Sequence, residues 1–310
     1  MGRIEVFPDD RAMIKSGLDL LGKRDWSGLK EHLRALPPES AYTFLRLLSE
    51  KAPLDAPVED IPVGSRDALG LTIAGALLHG RGVRHRGFDQ AENVSEEQWE
   101  AYMPALFRAQ HLLAEATRAN PELGLAAAWR MSANVDAAPE EKDEAEAILL
   151  GARDVPISGF SRLLSARAEK WGGSHADMWR VARDHAERDL PASLALLAKA
   201  HFEQWLYLTI FDESAEGRVR AETYFAEQAV EGELLALSQR VLAAPPPSDP
   251  RDALHVHNWF GFVLHAAGRS RLARPHFSAI GRHLDRTTWV FPLPRLSYNW
   301  ARLKVGLLPA

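Results

Sequence analysis

The sequence predicts an all-α protein assembled from stacked helical hairpins. Two observations carry that expectation. Apolar residues, dominated by Ala and Leu, recur at three- and four-residue spacing along most of the 310 residues, which is the period of one helix face. Runs of alternating β-branched residues are nearly absent. The best is Thr287-Thr288-Trp289-Val290-Phe291, with Pro292 and Pro294 close behind, and one short extended piece cannot build a sheet. Many short helices joined by short breaks favour stacked pairs over one long bundle.

The elements follow from where the helical period runs and where breakers stop it. Helices are expected over 9–22, 27–36 and 39–51, closed by the stretch from Ala52 to Gly64 with its three prolines. The next is expected over 65–80, ended by a loop Gly80-Arg81-Gly82-Val83-Arg84-His85-Arg86-Gly87. Then come 96–119, 122–133, 139–153, 158–169, 175–188, 191–210 and 214–243. The run Ala244-Pro245-Pro246-Pro247-Ser248-Asp249-Pro250 is the strongest breaker, because consecutive prolines cannot propagate a helix. Helices over 252–267, 270–284 and 295–306 complete the chain. The breaks divide it into N-terminal helices (1–64), a central array (65–243) and a C-terminal pair with its tail (252–310), read as one continuous structural unit.

The C-terminal pair is the most regular. Gly261, Gly268, Ala273, Phe277 and Ile280 stand at the offsets of the tetratricopeptide pattern. Gly261 and Ala273 let two backbones approach, Gly268 permits the turn, and Phe277 fills the groove between pairs. Ala109, Leu113, Ala116 and Pro121 repeat the second-helix offsets. The expected architecture is therefore an irregular, tetratricopeptide-like α-solenoid.

Composition narrows the chemistry. Apolar residues make up 46% and charged residues 25%, the balance of an ordinary globular chain. Acids exceed bases by 42 to 37, so no general field draws nucleic acid. Cysteine is absent, which excludes disulfides, thiolate metal sites and cysteine nucleophiles. The N-terminal residues hold no apolar run of signal length, Val6 stands where a myristoylation signal needs Ser or Thr, and no apolar stretch reaches membrane-spanning length. The expectation is a cytoplasmic protein with no membrane partner.

Two stretches stand out as motifs. One is Lys170-Trp171-Gly172-Gly173-Ser174-His175, followed by Met178 and by Ala200-His201-Phe202-Glu203-Gln204-Trp205-Leu206. The other is Arg81-Gly82 with Val94-Ser95-Glu96-Glu97-Gln98-Trp99. Together they resemble an uncharacterised bacterial family known only as a domain of unknown function, over residues 10–285, with Trp179 as a departure. The resemblance implies irregular tetratricopeptide-like helices and no particular activity.

Around Trp171 the residues read as a helix–helix corner. One glycine supplies positive φ, Ser174 caps the next helix, Asp177 completes a capping box and Trp171 plugs the corner. The functional alternative is an anion site at the helix start, with His175 as an extra donor and Asp177 competing. His201 lies on a stripe with Leu190, Leu194, Leu197, Trp205 and Leu208, so it faces the core or a groove, while Glu203 points elsewhere. His255, His257 and His265 are spaced by two and eight residues, wrong for two ligands within one turn. His111 and Glu115 read as a surface pair, and no metal or cofactor is expected. The Arg81, Arg84, His85, Arg86 segment is either a solvated linker or a grip for an acidic group. The nine tryptophans read as wedges between helices.

These readings converge on a binding module that holds a protein or peptide partner in a concave groove. Trp171 and Trp205 would be its walls, His175 and His201 its donors and Arg81 an anion contact. The alternative is an enzyme with an all-α pocket that uses His175 or His201 as general acid–base.

Overall fold

The computed structural model describes residues 10–58, 61, 67–87, 91–188, 190–284, 288–289 and 294–308. The N-terminal segment through Val6 and most of the extended candidate 287–291 lie outside them. Among the described residues every regular element is a helix, and the one β-contact is an isolated bridge between Leu123 and Arg153. The all-α class is therefore observed. The chain divides into two compact units, Asp9–Ala166 and Arg167–Ala310. The division falls at the Trp171 corner, not at either proline-rich break, because the helices on both sides of each break pack together: α3 on α4, and α12 on α13.

The N-terminal unit holds α1 (Asp10–Gly22), α2 (Trp26–Arg34), α3 (Pro38–Lys51), α4 (Ala68–Arg86), α5 (Glu96–Ala119), α6 (Gly124–Ala133), α7 (Pro139–Gly151) and α8 (Ile157–Arg167). Helix α4 is its axis, packed on α3, α5 and α6. Phe44, Leu48, Leu77, Leu113 and Ala126 are fully buried around it. A reciprocal capping box starts α5: Gln98 N–H donates to Ser95 Oγ at 3.2 Å, and Ser95 N–H donates to Gln98 Oε1 at 3.0 Å. The buried Glu39 of α3 accepts from Ser158 N–H at 2.9 Å and from Ser158 Oγ at 2.5 Å, which caps α8 from 119 residues away.

The expected loop from Gly80 to Gly87 is instead the last turns of α4, which end only at Gly87 with φ +77°. The glycines are there for contact, not for flexibility. A Cβ at Gly80 would strike the Ser49 side chain, and one at Gly82 would press on Tyr102 at 3.2 Å. The arginines reach inward to backbone carbonyls of the segment after α3. Arg84 Nη1 donates to Ala52 O and Arg81 Nη2 to Ala56 O, both at 2.5 Å.

The C-terminal unit holds α9 (His175–Ala186), α10 (Pro191–Ile210), α11 (Ala215–Thr223), α12 (Gln228–Ala243), α13 (Pro250–Ala266), α14 (Ser270–Ile280) and α15 (Pro294–Lys304). Helix α10 is central, packed on α9, α11, α12 and α13. The single helix expected over 214–243 is broken by a 3-10 turn at Tyr224–Ala226. Tyr224 and Phe225 are both 4% exposed and pack against different side chains of α10. The tighter turn sends Tyr224 to His201 and Phe225 to Trp205.

Helices α13 and α14 form the expected hairpin. Gly268 turns it at φ +72°, a Cβ at Gly261 would sit 3.2 Å from Ile280 Cδ1, and Ala273 and Phe277 are fully buried. Gly281, at φ +57°, stops α14 short of the expected residue 284.

Candidate functional site

The two halves of the first motif face each other in the C-terminal unit. The corner after α8 turns through Gly172, at φ +77°. Gly173 passes so close to Arg167 O that no Cβ fits. Ser174 N–H donates to that same carbonyl at 3.0 Å, and Asp177 N–H donates to Ser174 Oγ at 3.0 Å. Asp177 does not close a capping box, because its carboxylate takes the Ser174 hydroxyl at 2.7 Å. The N–H groups of Gly173, Ser174 and Asp177 are thus occupied within the chain, and a carboxylate stands at the helix start, which removes most of the anion-site reading. Trp171 does not plug the corner; it lies at the surface, 38% exposed.

The corner is tied to α10 by three polar rows. In the first, Lys170 Nζ meets Glu203 Oε2 at 2.7 Å and Lys199 Nζ meets Glu203 Oε1 at 2.6 Å, with Glu203 and Lys199 buried. Burial alone would raise the Glu203 pKa; the two ammonium groups reverse that and hold it at about 2. In the second, Tyr207 donates to Glu169 Oε1 at 3.0 Å, His175 Nε2 lies 3.0 Å from Glu169 Oε2 and 3.1 Å from Gln204 Nε2, and Trp179 Nε1 reaches Gln204 Oε1 at 3.4 Å.

The third row centres on His201, which is 3% exposed. Its Nε2 lies 3.1 Å from Glu233 Oε2 of α12 and its Nδ1 lies 2.9 Å from the Tyr224 hydroxyl. A carboxylate only accepts, so Nε2 carries a proton toward Glu233, and in the neutral ring Nδ1 is left to accept from Tyr224. Arg183 of α9 closes the row with a forked pair to Glu233 and lies over the Trp179 ring at 5.1 Å. Burial by itself would raise the Glu233 pKa; the bonds from His201 and Arg183 bring it down to about 2. Burial, then the charges of Glu227 and Glu233, push the Tyr224 pKa up.

Hydroxyl, imidazole and carboxylate therefore stand in succession, the order that activates a nucleophile. Here the hydroxyl is a buried phenol that holds its proton firmly, so the row locks α9, α10 and α12 together.

Of the predicted site residues, His175, His201 and Trp205 sit on or against α10, and Trp171 sits beside Glu169 at the rim. His201 is spent inside the unit rather than offered as a donor. Trp205 is half-buried against Phe202, Phe225 and Phe262. Arg81 lies in the N-terminal unit, on Ala56 O.

The sequence reading missed Tyr207 and Phe211, whose rings stack at 6.1 Å on the exposed end of α10, with Tyr207 edge-on to His175 at 4.8 Å. Their four-residue spacing was the available signal. It also missed the partner of His257. His276 Nδ1 lies 2.9 Å from His257 Nδ1, and His276 Nε2 lies 2.9 Å from Ser238 Oγ. The two histidines lie on the two helices of one expected hairpin, which was the signal available for that pair.

His255 accepts from Trp259 Nε1 at 3.0 Å, and His111 meets Glu115 at the surface at 3.4 Å. Among the described residues, no group of three or more His, Asp or Glu side chains is placed to hold a metal ion, and no helix is long and apolar enough to cross a membrane. Comparison with family models, with curated proteins and with solved structures gave no match.

Proposed function

We propose that the chain is a cytoplasmic, tetratricopeptide-like binding module that holds a peptide or protein partner in a groove of its C-terminal unit. The observation that carries this reading is the aromatic rim beside the three polar rows. Trp171 and Phe211 are 38% and 45% exposed, and Tyr207 stands between the Phe211 and His175 rings. Exposed aromatic rings on a rigid support cost little entropy when a partner covers them, which is how binding hot spots are made. The rows supply that support, since Lys170–Glu203, His175–Gln204, Arg183–Glu233 and His201–Glu233 each join two different segments of the unit. His201 and Trp205 are then the wall behind the site, and His175 and Glu169 its polar edge.

Selection from a displayed peptide library on the purified protein tests the proposal. An enriched consensus is expected, with binding weakened at least about tenfold by Trp171→Ala or Phe211→Ala and helicity unchanged. Absence of a consensus, or full binding by both variants, overturns it. The alternative, an enzyme using His175 or His201, draws on their carboxylate pairing and requires no peptide consensus at the rim.

A further inference from the structure

Helix α15 is apolar on two opposite faces. One is spent inside: Tyr298, Ala301 and Val305 are buried, with Tyr298 5.6 Å from the Phe277 ring and 5.3 Å from that of Trp289. Polar bonds clamp the helix there. The Tyr298 hydroxyl donates to Gly281 O at 2.7 Å. Arg302 Nη1 donates to Phe277 O at 3.0 Å and Gly281 O at 2.9 Å, at the end of α14, and Nε donates to Leu308 O at 2.9 Å.

The other face stays in solvent. Leu296 is 54% exposed, Trp300 60% and Leu303 49%, and Leu308 follows at 82%. At 100° per residue, Leu296, Trp300 and Leu303 fall within about 60° of one another.

Cations flank this stripe. Lys304 lies about 80° to one side, with its ammonium 5.6 Å from the Trp300 ring centre. Arg302 lies about 120° to the other, and its bonds to carbonyls and to the Tyr298 hydroxyl leave its charge uncancelled. From Arg286 to Ala310 the sequence has four basic residues and no acid, in a chain of net charge −5. A helix clamped by one face cannot turn the opposite stripe inward. A Trp–Leu stripe between cations is the pattern of a helix lying in the headgroup layer of an anionic bilayer.

We propose that α15 docks the protein flat on an anionic lipid surface. Leu296, Trp300 and Leu303 enter the boundary between headgroups and acyl chains, Lys304 meets the headgroup charge, and Arg302, held against α14, adds its uncancelled charge to the local field. The expectation of no membrane partner came from the lack of a spanning segment; the eleven residues of α15 lie on the bilayer, not across it.

Flotation of the full chain with vesicles tests the proposal, comparing phosphatidylcholine alone with phosphatidylcholine mixed with phosphatidylglycerol. The protein is expected to float with the anionic vesicles only and to be released by high salt. The double variant Trp300→Ser/Leu303→Ser is expected to bind at least about tenfold more weakly, and Lys304→Glu to weaken binding with helicity unchanged. Three results overturn the proposal: no flotation on anionic vesicles, flotation undiminished in these variants, or a doubled mass in sedimentation without vesicle binding, which would assign the stripe to a second copy of the chain.

Discussion

Glu203 is a carboxylate surrounded by apolar packing, and both its oxygens are taken by ammonium groups, Lys199 from one turn earlier and Lys170 from the corner. Removing one member of such a set leaves uncompensated buried charge. Glu203→Ala is therefore expected to destabilise the C-terminal unit by about 3–5 kcal/mol, measured by urea unfolding. Replacing the local pair with apolar side chains, as Lys199→Met/Glu203→Leu, is expected to recover most of that loss, because the less buried Lys170 can turn to solvent. If the double variant is no better than the single one, the cost lies in packing rather than charge. The sequence showed that Glu203 points away from His201, since two residues on a helix are about 200° apart. It did not show Lys170 as the partner, because that contact depends on how the Gly172–Gly173 corner folds back, and no local period encodes that path.

At the scale of elements, helices were legible wherever a proline or a capping residue coincided with a change of period, as at Pro38, Ser95, Pro139 and Pro191. The reading failed where a residue type has two physical uses. Gly80 and Gly82 look like loop formers, yet they serve close packing of α4, which only the neighbouring helices reveal. Two substitutions separate these uses. Gly→Ala in a helix interior normally gains about 0.5–1 kcal/mol. Gly232 of α12 has nothing within 4 Å of its would-be Cβ, so Gly232→Ala is expected to gain that amount. At Gly80 the same methyl meets the Ser49 side chain and lies 3.2 Å from Ser49 C, so overpacking of about 1–3 kcal/mol outweighs the propensity gain. Gly80→Ala is expected to lower the thermal midpoint while Gly232→Ala raises it. Like signs would mean that α3 and α4 are not held at this separation.

Both units keep histidines neutral, and this sets the response of the whole molecule to acid. Burial, with a contribution from His257, lowers His276 to about 3; burial, with a contribution from Arg162, lowers His79 to about 4. His257, His265 and His32 are shifted the same way, by burial first. In the unfolded chain these imidazoles take up protons near 6.5. Below that pH the unfolded state binds protons that the folded state refuses, so stability falls as the pH falls, until each folded pKa is reached. Glu203 and Glu233, at about 2 when folded against 4.5 unfolded, add a second loss that sets in below about 5.5 and grows as the pH falls further. Between about 7 and 5.5 the histidines therefore dominate, and urea midpoints across that window isolate them. The midpoint is expected to fall steadily with pH. His276→Gln, which keeps a partner for Ser238 but carries no titrating ring, is expected to make that fall shallower while lowering stability near neutrality by about 1–2 kcal/mol through poorer bonding to Ser238 and His257. The His79 share lies in the other unit and is expected to persist in this variant. A slope that His276→Gln leaves unchanged would mean that the Ser238–His276–His257 row takes up protons without opening the α12–α14 core.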